Sequence, residues 1–354
     1  MAFINNVAAC AQNAGETITM NENGRILWID ATRILAIFGV VLLHTAAPYL
    51  DKFEGNATAD WNTANIIDAI TRPCVPLFFM VSGALLIERS IGISQLKPRL
   101  KRLIVPLLAW SIIYLIMRAI TEPNFNLVIL LVQAPLMPVM YHLWFLYALI
   151  GIYLCLPLVA PAIQAASPMQ LRYGLGLWVL ASAMLPTFEW ISGAKSSIEL
   201  STMAGFMGYM VMGHVLAKAP RPSRKQAFAA MASIGIGYGI TVFGTIIMTV
   251  HQGKFFGKFY DYLSPNVMLF SAGVFVIMRV VFEGRQSRLA KGLSDLSFGI
   301  YLCHLAVRAV LNVMLDVRGW GVSGIVPYAV LTFAISAIGV FVVRRLGLAK
   351  IFAP

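Results

Sequence analysis

Residues 28–49 read WIDATRILAIFGVVLLHTAAPY. As one α-helix this stretch crosses the roughly 30 Å hydrocarbon core of a bilayer, for which about 20 residues suffice. Its apolar run is interrupted by Asp30, Arg33 and His44. From Arg33 to His44 is eleven steps of about 100°, which return to within about 20° of the start and rise about 16.5 Å. Both side chains therefore lie along one face of the helix. Asp30, one turn before Arg33, is placed to neutralise or orient its guanidinium.

Outward from this stretch the rest of the chain has the same character. Of 354 residues, 59% are hydrophobic and 12% charged, with a mean hydropathy of +0.79. A soluble domain carries about 25% charge, so the composition excludes a cytosolic enzyme, a disordered chain and a disulfide scaffold. Apolar segments of helical length run over 26–50, 66–88, 103–120, 141–161, 173–191, 201–217, 229–250, 264–282, 293–315 and 322–342. The expectation is an all-α, polytopic bundle of about ten spans, with no room for a separate catalytic domain. The segment 127–140 is apolar but short and carries Pro135 and Pro138, which makes it a re-entrant or interfacial piece. Residues 1–25 lack the layout of a secretory signal and read as a cytoplasmic leader, 26–343 as the membrane domain, and 344–354 as a basic cytoplasmic tail.

A net charge of +12 could point to nucleic acid, but its distribution argues otherwise. Arg25, the 89–102, 162–172, 218–228 and 283–292 loops and the tail hold 17 Lys and Arg, and the alternate loops hold 5. Such alternation places both termini in the cytoplasm of a multi-pass membrane protein. The basic cluster Lys97, Arg99, Lys101 and Arg102 reads chiefly as this topology signal, with phosphate or anionic-lipid capture as the second reading. Cys74, Cys155 and Cys303 lie in apolar segments without CxxC pairing and read as buried thiols.

Ionisable groups inside spans are costly and usually face a cavity or a partner. Here they are Asp30, Arg33, His44, Asp68, Arg72, Arg118, His142, Glu189, His214, Arg279, Asp295, His304 and Arg308. Spacing alone leaves each with two readings. Arg33 pairs with Asp30 while His44 packs, or the stripe faces a site. His142, beside Tyr141 and Trp144, is an interfacial anchor or a site residue. His304 and Arg308, four apart on one helical face, line a cavity or serve as structural partners. Arg72 precedes Pro73, where a helix break would aim it inward. His214 and His251 lie near span ends and read as solvated.

The Arg-x10-His spacing, the DATR start at 30–33 and the run RPCVPLFFMVSGALL at 72–86 resemble the membrane-bound acyltransferase type 3 family. So do YHLWFLYALIGIYL at 141–154 and LSFGIYLCHL at 296–305. The resemblance implies transfer of an acyl group, usually acetyl from acetyl-CoA, to a hydroxyl of a cell-envelope glycan or a polyprenyl-linked saccharide. It implies no tightly bound cofactor and no metal, acetyl-CoA being a co-substrate. His44 matches the family's essential histidine and Arg33 its essential arginine, with Asp30 beside it. Arg72 and Ser82 match the second-span motif, Trp144 the fourth, and Tyr301 with His304 the ninth. An imidazole suits deprotonation of a sugar hydroxyl near neutral pH, and a guanidinium suits the phosphates of CoA. On that reading Arg33 and Arg72 hold the donor, and Ser82, His142, Trp144, Tyr301, His304 and Arg308 line the cavity, in a bacterial inner membrane among its lipids. The competing class is a transporter or exporter of a glycan or small solute, which also carries polar groups in broken helices. Inverted halves, expected of a transporter, are not apparent.

Overall fold

The computed structural model describes residues 27–89, 92–122, 132, 134, 136–315 and 320–353. Among these residues all regular structure is helical. The first stave is α1 (Leu27–Leu50), followed by α2 (Ala59–Thr71) and α3 (Cys74–Leu86), which share one path broken at Arg72 and Pro73. Next come α4 (Ile93–Thr121), α5 (Trp144–Ala165), α6 (Pro168–Val179) and α7 (Leu185–Ser192), the last two joined through a π turn at Leu180–Met184. Pro186 lacks the N–H that a regular α ladder would use at this point. The remaining helices are α8 (Met207–Lys218), α9 (Arg224–Gln252), α10 (Pro265–Phe282), α11 (Arg288–Met314), α12 (Ile325–Arg345) and α13 (Ala349–Phe352).

Nine of the described helical paths are long and apolar enough to cross a membrane, so the chain is a multi-pass membrane protein. The expected sixth span at 201–217 is the exception. Its first residues form a short turn at Ser201–Met203, Gly205 has φ +108°, and only the twelve residues of α8 are helical beyond it. This short helix sits inside the bundle. A Cβ on Gly83 would enter the α8 backbone at Met210, and one on Gly213 would enter the α3 backbone at Met80, so glycine is needed on both sides of the crossing.

α1 is the central stave, packed against α2, α3, α10, α11 and α12. α4 is peripheral, with Ile104, Leu108, Ile112, Ile116 and Ile120 forming an exposed i, i+4 stripe. α9 and α10 enclose a polar network. Asn266 donates to Thr241 Oγ1 at 2.8 Å and to the Phe259 carbonyl at 2.7 Å; Asn65 donates to the Val242 carbonyl at 3.2 Å and accepts from the Tyr260 hydroxyl.

The helices start closer to the charges than hydropathy predicts. The expected 89–102 loop is helical from Ile93, so Lys97, Arg99, Lys101 and Arg102 occupy the first turns of α4. Capping boxes, Ser167 with Gln170 and Ser223 with Gln226, start α6 and α9 inside two other expected loops. Successive connections still alternate between a basic end and an opposite end. Arg118, near the end of α4, donates to the Val139 carbonyl at 2.8 Å, so the chain entering and leaving the 127–140 segment does so at the same, opposite end. Half of that segment, like the whole 1–25 leader, lies outside the described residues. Two smaller expectations are corrected. Cys155 is exposed on the apolar outer surface, and His214 is buried with Nε2 3.5 Å from the Glu88 carboxylate.

Candidate active site

Three histidines from distant parts of the sequence converge at the C-terminal third of α1. His44 is half-buried on α1. Tyr301, His304 and Arg308 share one face of α11, and His142 comes from a short 3₁₀ turn, Tyr141–Leu143, that leads into α5. The His44 and His304 rings stack with centroids 5.3 Å apart and 22° between planes. His142 stands edge-on to His304 at 5.1 Å and lies 6.4 Å from His44, while Tyr141 meets His44 edge-on at 5.2 Å. Tyr301 donates its hydroxyl to the His142 carbonyl and so pins the turn, and Tyr114 on α4 donates to the Leu302 carbonyl at 2.7 Å. His142 is thus a buried member of the cluster, with 2% of its surface exposed, and not an interfacial anchor.

Backbone partners determine the His304 tautomer. Its Nδ1 lies 2.7 Å from the Tyr301 carbonyl and 3.2 Å from the Ile300 carbonyl, and a carbonyl can only accept. In the neutral ring the proton therefore resides on Nδ1, and Nε2 presents a lone pair. That Nε2 is buried without a hydrogen-bond partner, as are both ring nitrogens of His142 and Nε of Arg308. Buried polar atoms are nearly always paired. Here four unpaired nitrogens gather beside the half-buried His44. Among the described residues no three His, Cys, Asp or Glu side chains are arranged as metal ligands.

Local backbone chemistry explains why Arg308 belongs here. In a regular α-helix the His44 carbonyl would accept from the N–H of residue 48, but residue 48 is proline and has none. Arg308 fills that vacancy by donating Nη1 to the His44 carbonyl. Pro48 and Arg308 together lock the helix turn that carries His44 to α11.

The other predicted residues are spread over the length of the bundle. Arg33 lies about 16.5 Å along α1 from His44, toward the basic end, with buried Asp30 one turn earlier. Arg33 and Arg99 both lie in the neighbourhood of Tyr153 of α5. Arg72 is not at that end. Its guanidinium pairs with Asp68 and stacks on Tyr260, 4.0 Å from the ring centre, between α3 and the α9–α10 connection. Ser82 returns its hydroxyl to the Phe78 carbonyl at 2.8 Å within α3. Trp144 stacks on Tyr262 with centroids 5.8 Å apart and 24° between planes. The histidine cluster thus unites His44, His142, Tyr301, His304 and Arg308, and leaves Arg33, Asp30, Arg72, Ser82 and Trp144 outside it. Sequence reading missed Tyr114, Tyr141 and Pro48, although the spacing of Pro48 four residues after His44 carried the signal.

A family model described as an acyltransferase domain matches residues 26–344. No curated protein and no solved structure matches the chain.

Proposed function

The chain belongs to this acyltransferase family, and on that premise we propose that it moves an acetyl group from acetyl-CoA to a hydroxyl of a cell-envelope glycan or polyprenyl-linked saccharide. The stretches WID, VPLFF and YHLWF are similar to those of the enterobacterial common antigen O-acetyltransferase, and the choice of donor and acceptor rests on that likeness. The structural support is the half-buried His44 beside three partnerless buried imidazole nitrogens, in line with Arg33 along one helix.

In this reading His44 takes the proton of the acceptor hydroxyl as that oxygen attacks the thioester carbonyl. The tetrahedral intermediate collapses with cleavage of the C–S bond, and the proton passes from His44 to the departing thiolate. The products are the O-acetyl ester and free CoA. His304, its tautomer held by the Tyr301 carbonyl, and His142 furnish acceptors for the other hydroxyls of the sugar. Arg33, with Arg99 nearby, meets the CoA phosphates from the basic end. Arg72 serves through its ion pair with Asp68, holding the α2–α3 break that borders the site.

Purified protein in detergent should release free CoA from acetyl-CoA when glycan acceptor is added and should incorporate labelled acetyl into the glycan. Donor turnover without acetyl on any hydroxyl would overturn the assignment. A burst of CoA release before acceptor addition would identify His44 as a transient acyl carrier in place of a base. The orientation, an inner membrane with both termini in the cytoplasm, follows the positive-inside rule. Single cysteines placed in 51–65 and 251–263 of a cysteine-free chain should react with an impermeant maleimide from outside, and those in 218–228 should not. Outside labelling at 218–228 would mean that 127–140 crosses the membrane and would reverse the helices after it.

A further inference from the structure

A cavity of about 350 Å³ opens at the end of the bundle opposite the basic loops. It is framed by the last turn of α1, the last turns of α11 and the first turns of α12. Its floor includes Thr45 and Arg308, the neighbour and the hydrogen-bond partner of His44. Its walls carry Tyr49, Trp320 and Tyr328, with Lys52 and Asn312 toward the mouth.

The lining is built in place. Tyr49 donates to the Gly321 carbonyl at 2.9 Å, and Tyr328 donates to the Arg308 carbonyl at 2.9 Å and to the Asn312 amide oxygen. Trp320 lies against Gly324, where a Cβ would collide with the tryptophan's own Cβ, and meets the Tyr328 ring edge-on at 6.3 Å. Rigid aromatic walls, an amide and two cations, with no carboxylate among the described lining residues, are a set that suits a ring bearing hydroxyls and a negative charge. The volume is at the small end of the ~300–1,000 Å³ range of ligand pockets. It admits about one sugar residue at a time.

We propose that this cavity is the acceptor subsite, and that it selects a sugar residue carrying an anionic substituent, whose charge meets Lys52 and Arg308 while its ring lies against Trp320 and Tyr328. The inference rests on the acyltransferase reading and adds the acceptor's class and direction of entry. Lys52, held over the Tyr49 ring with Nζ 5.3 Å from its centre, marks the mouth, and the hydroxyl to be acylated reaches His44 past Thr45.

Binding is measurable apart from turnover. Saturation-transfer NMR on the full chain in detergent should give glucuronate roughly tenfold tighter binding than glucose, about the worth of one charge-assisted contact. Lys52→Met should reduce that preference, and Trp320→Ala should weaken both sugars. Equal binding of the two sugars, or indifference to both substitutions, would overturn the proposal. So would glycerol phosphate or inorganic phosphate displacing glucuronate as well from the Trp320→Ala protein as from the parent, which would make the cavity a headgroup or phosphate site. A chain that consumes acetyl-CoA yet binds neither sugar would refute this subsite and leave the proposed function standing. Selective glucuronate binding without acetyl-CoA turnover would do the reverse.

Discussion

Two buried polar regions lie on either side of α1 and differ in how their hydrogen bonds are closed. In the α9–α10 network, Asn266, Thr241, Asn65 and Tyr260 find partners in one another or in nearby carbonyls. In the histidine cluster, His142, His304 and Arg308 leave buried nitrogens unpaired. An unsatisfied buried group costs about 1–3 kcal/mol, a cost that the unpaired nitrogens of the second region carry and that Asn266, Thr241, Asn65 and Tyr260 avoid. On the proposed function, the difference separates polar groups that hold the fold from groups that await a substrate.

Substitutions should divide along the same line. The largest effect is expected from His44→Ala, which removes the base and little packing. Transfer should fall 10²- to 10⁴-fold, the usual contribution of a positioned base, with an unchanged melting temperature. Activity near that of the parent would end the assignment.

Arg308→Met tests the link between the two kinds of group, because it leaves the His44 carbonyl without a donor beside Pro48. A loss of about 1–3 kcal/mol is expected. Adding Pro48→Ala returns an N–H to that carbonyl and should recover most of the lost stability in a thermal melt. Failure of the double variant to recover would show that the bond does not hold the turn.

Asn266→Ala should cost about 1–3 kcal/mol in stability by leaving the Phe259 carbonyl without its donor, while the rate per folded molecule stays that of the parent. A catalytic defect in a protein of normal stability would erase the contrast drawn above. The smallest change is expected for Arg33→Lys, where an ammonium keeps the charge and loses the planar fork. A rise in KM for acetyl-CoA of roughly tenfold, with acceptor KM unchanged, would place Arg33 among the groups that await a substrate. A lower melting temperature with unaltered donor KM would place it with the structural network.

Much of this was legible before any coordinates. Long apolar runs mark the spans because the bilayer demands them, and His44 and Arg33 share a face by helical arithmetic alone. Helix starts were less legible, since hydropathy reports where the membrane is and not where the helix begins. Lys97 to Arg102 are helical despite their charge, and the Ser-x-x-Gln capping pattern at Ser167 and Ser223 was the better indicator. The sequence leaves His142 between an interfacial anchor and a cavity residue, because nothing in its neighbourhood reports contact with α11. Arg72 has an acid four residues earlier, Asp68, and that spacing already foretold the ion pair.

α8 has one more consequence. Twelve helical residues rise about 18 Å, well short of the roughly 30 Å of hydrocarbon, yet most of its surface is covered by neighbouring helices. A bilayer imposes length only on the helices it touches, through the energy of thickness mismatch. Encased in protein, α8 escapes that ruler, and the irregular chain leading into it can stay at depth because Trp178 donates to the Gly205 carbonyl and the Gly205 N–H donates to Ser182. A change of lipid thickness should therefore strain the outer staves α4 and α9 while leaving the α3–α8 crossing unaltered.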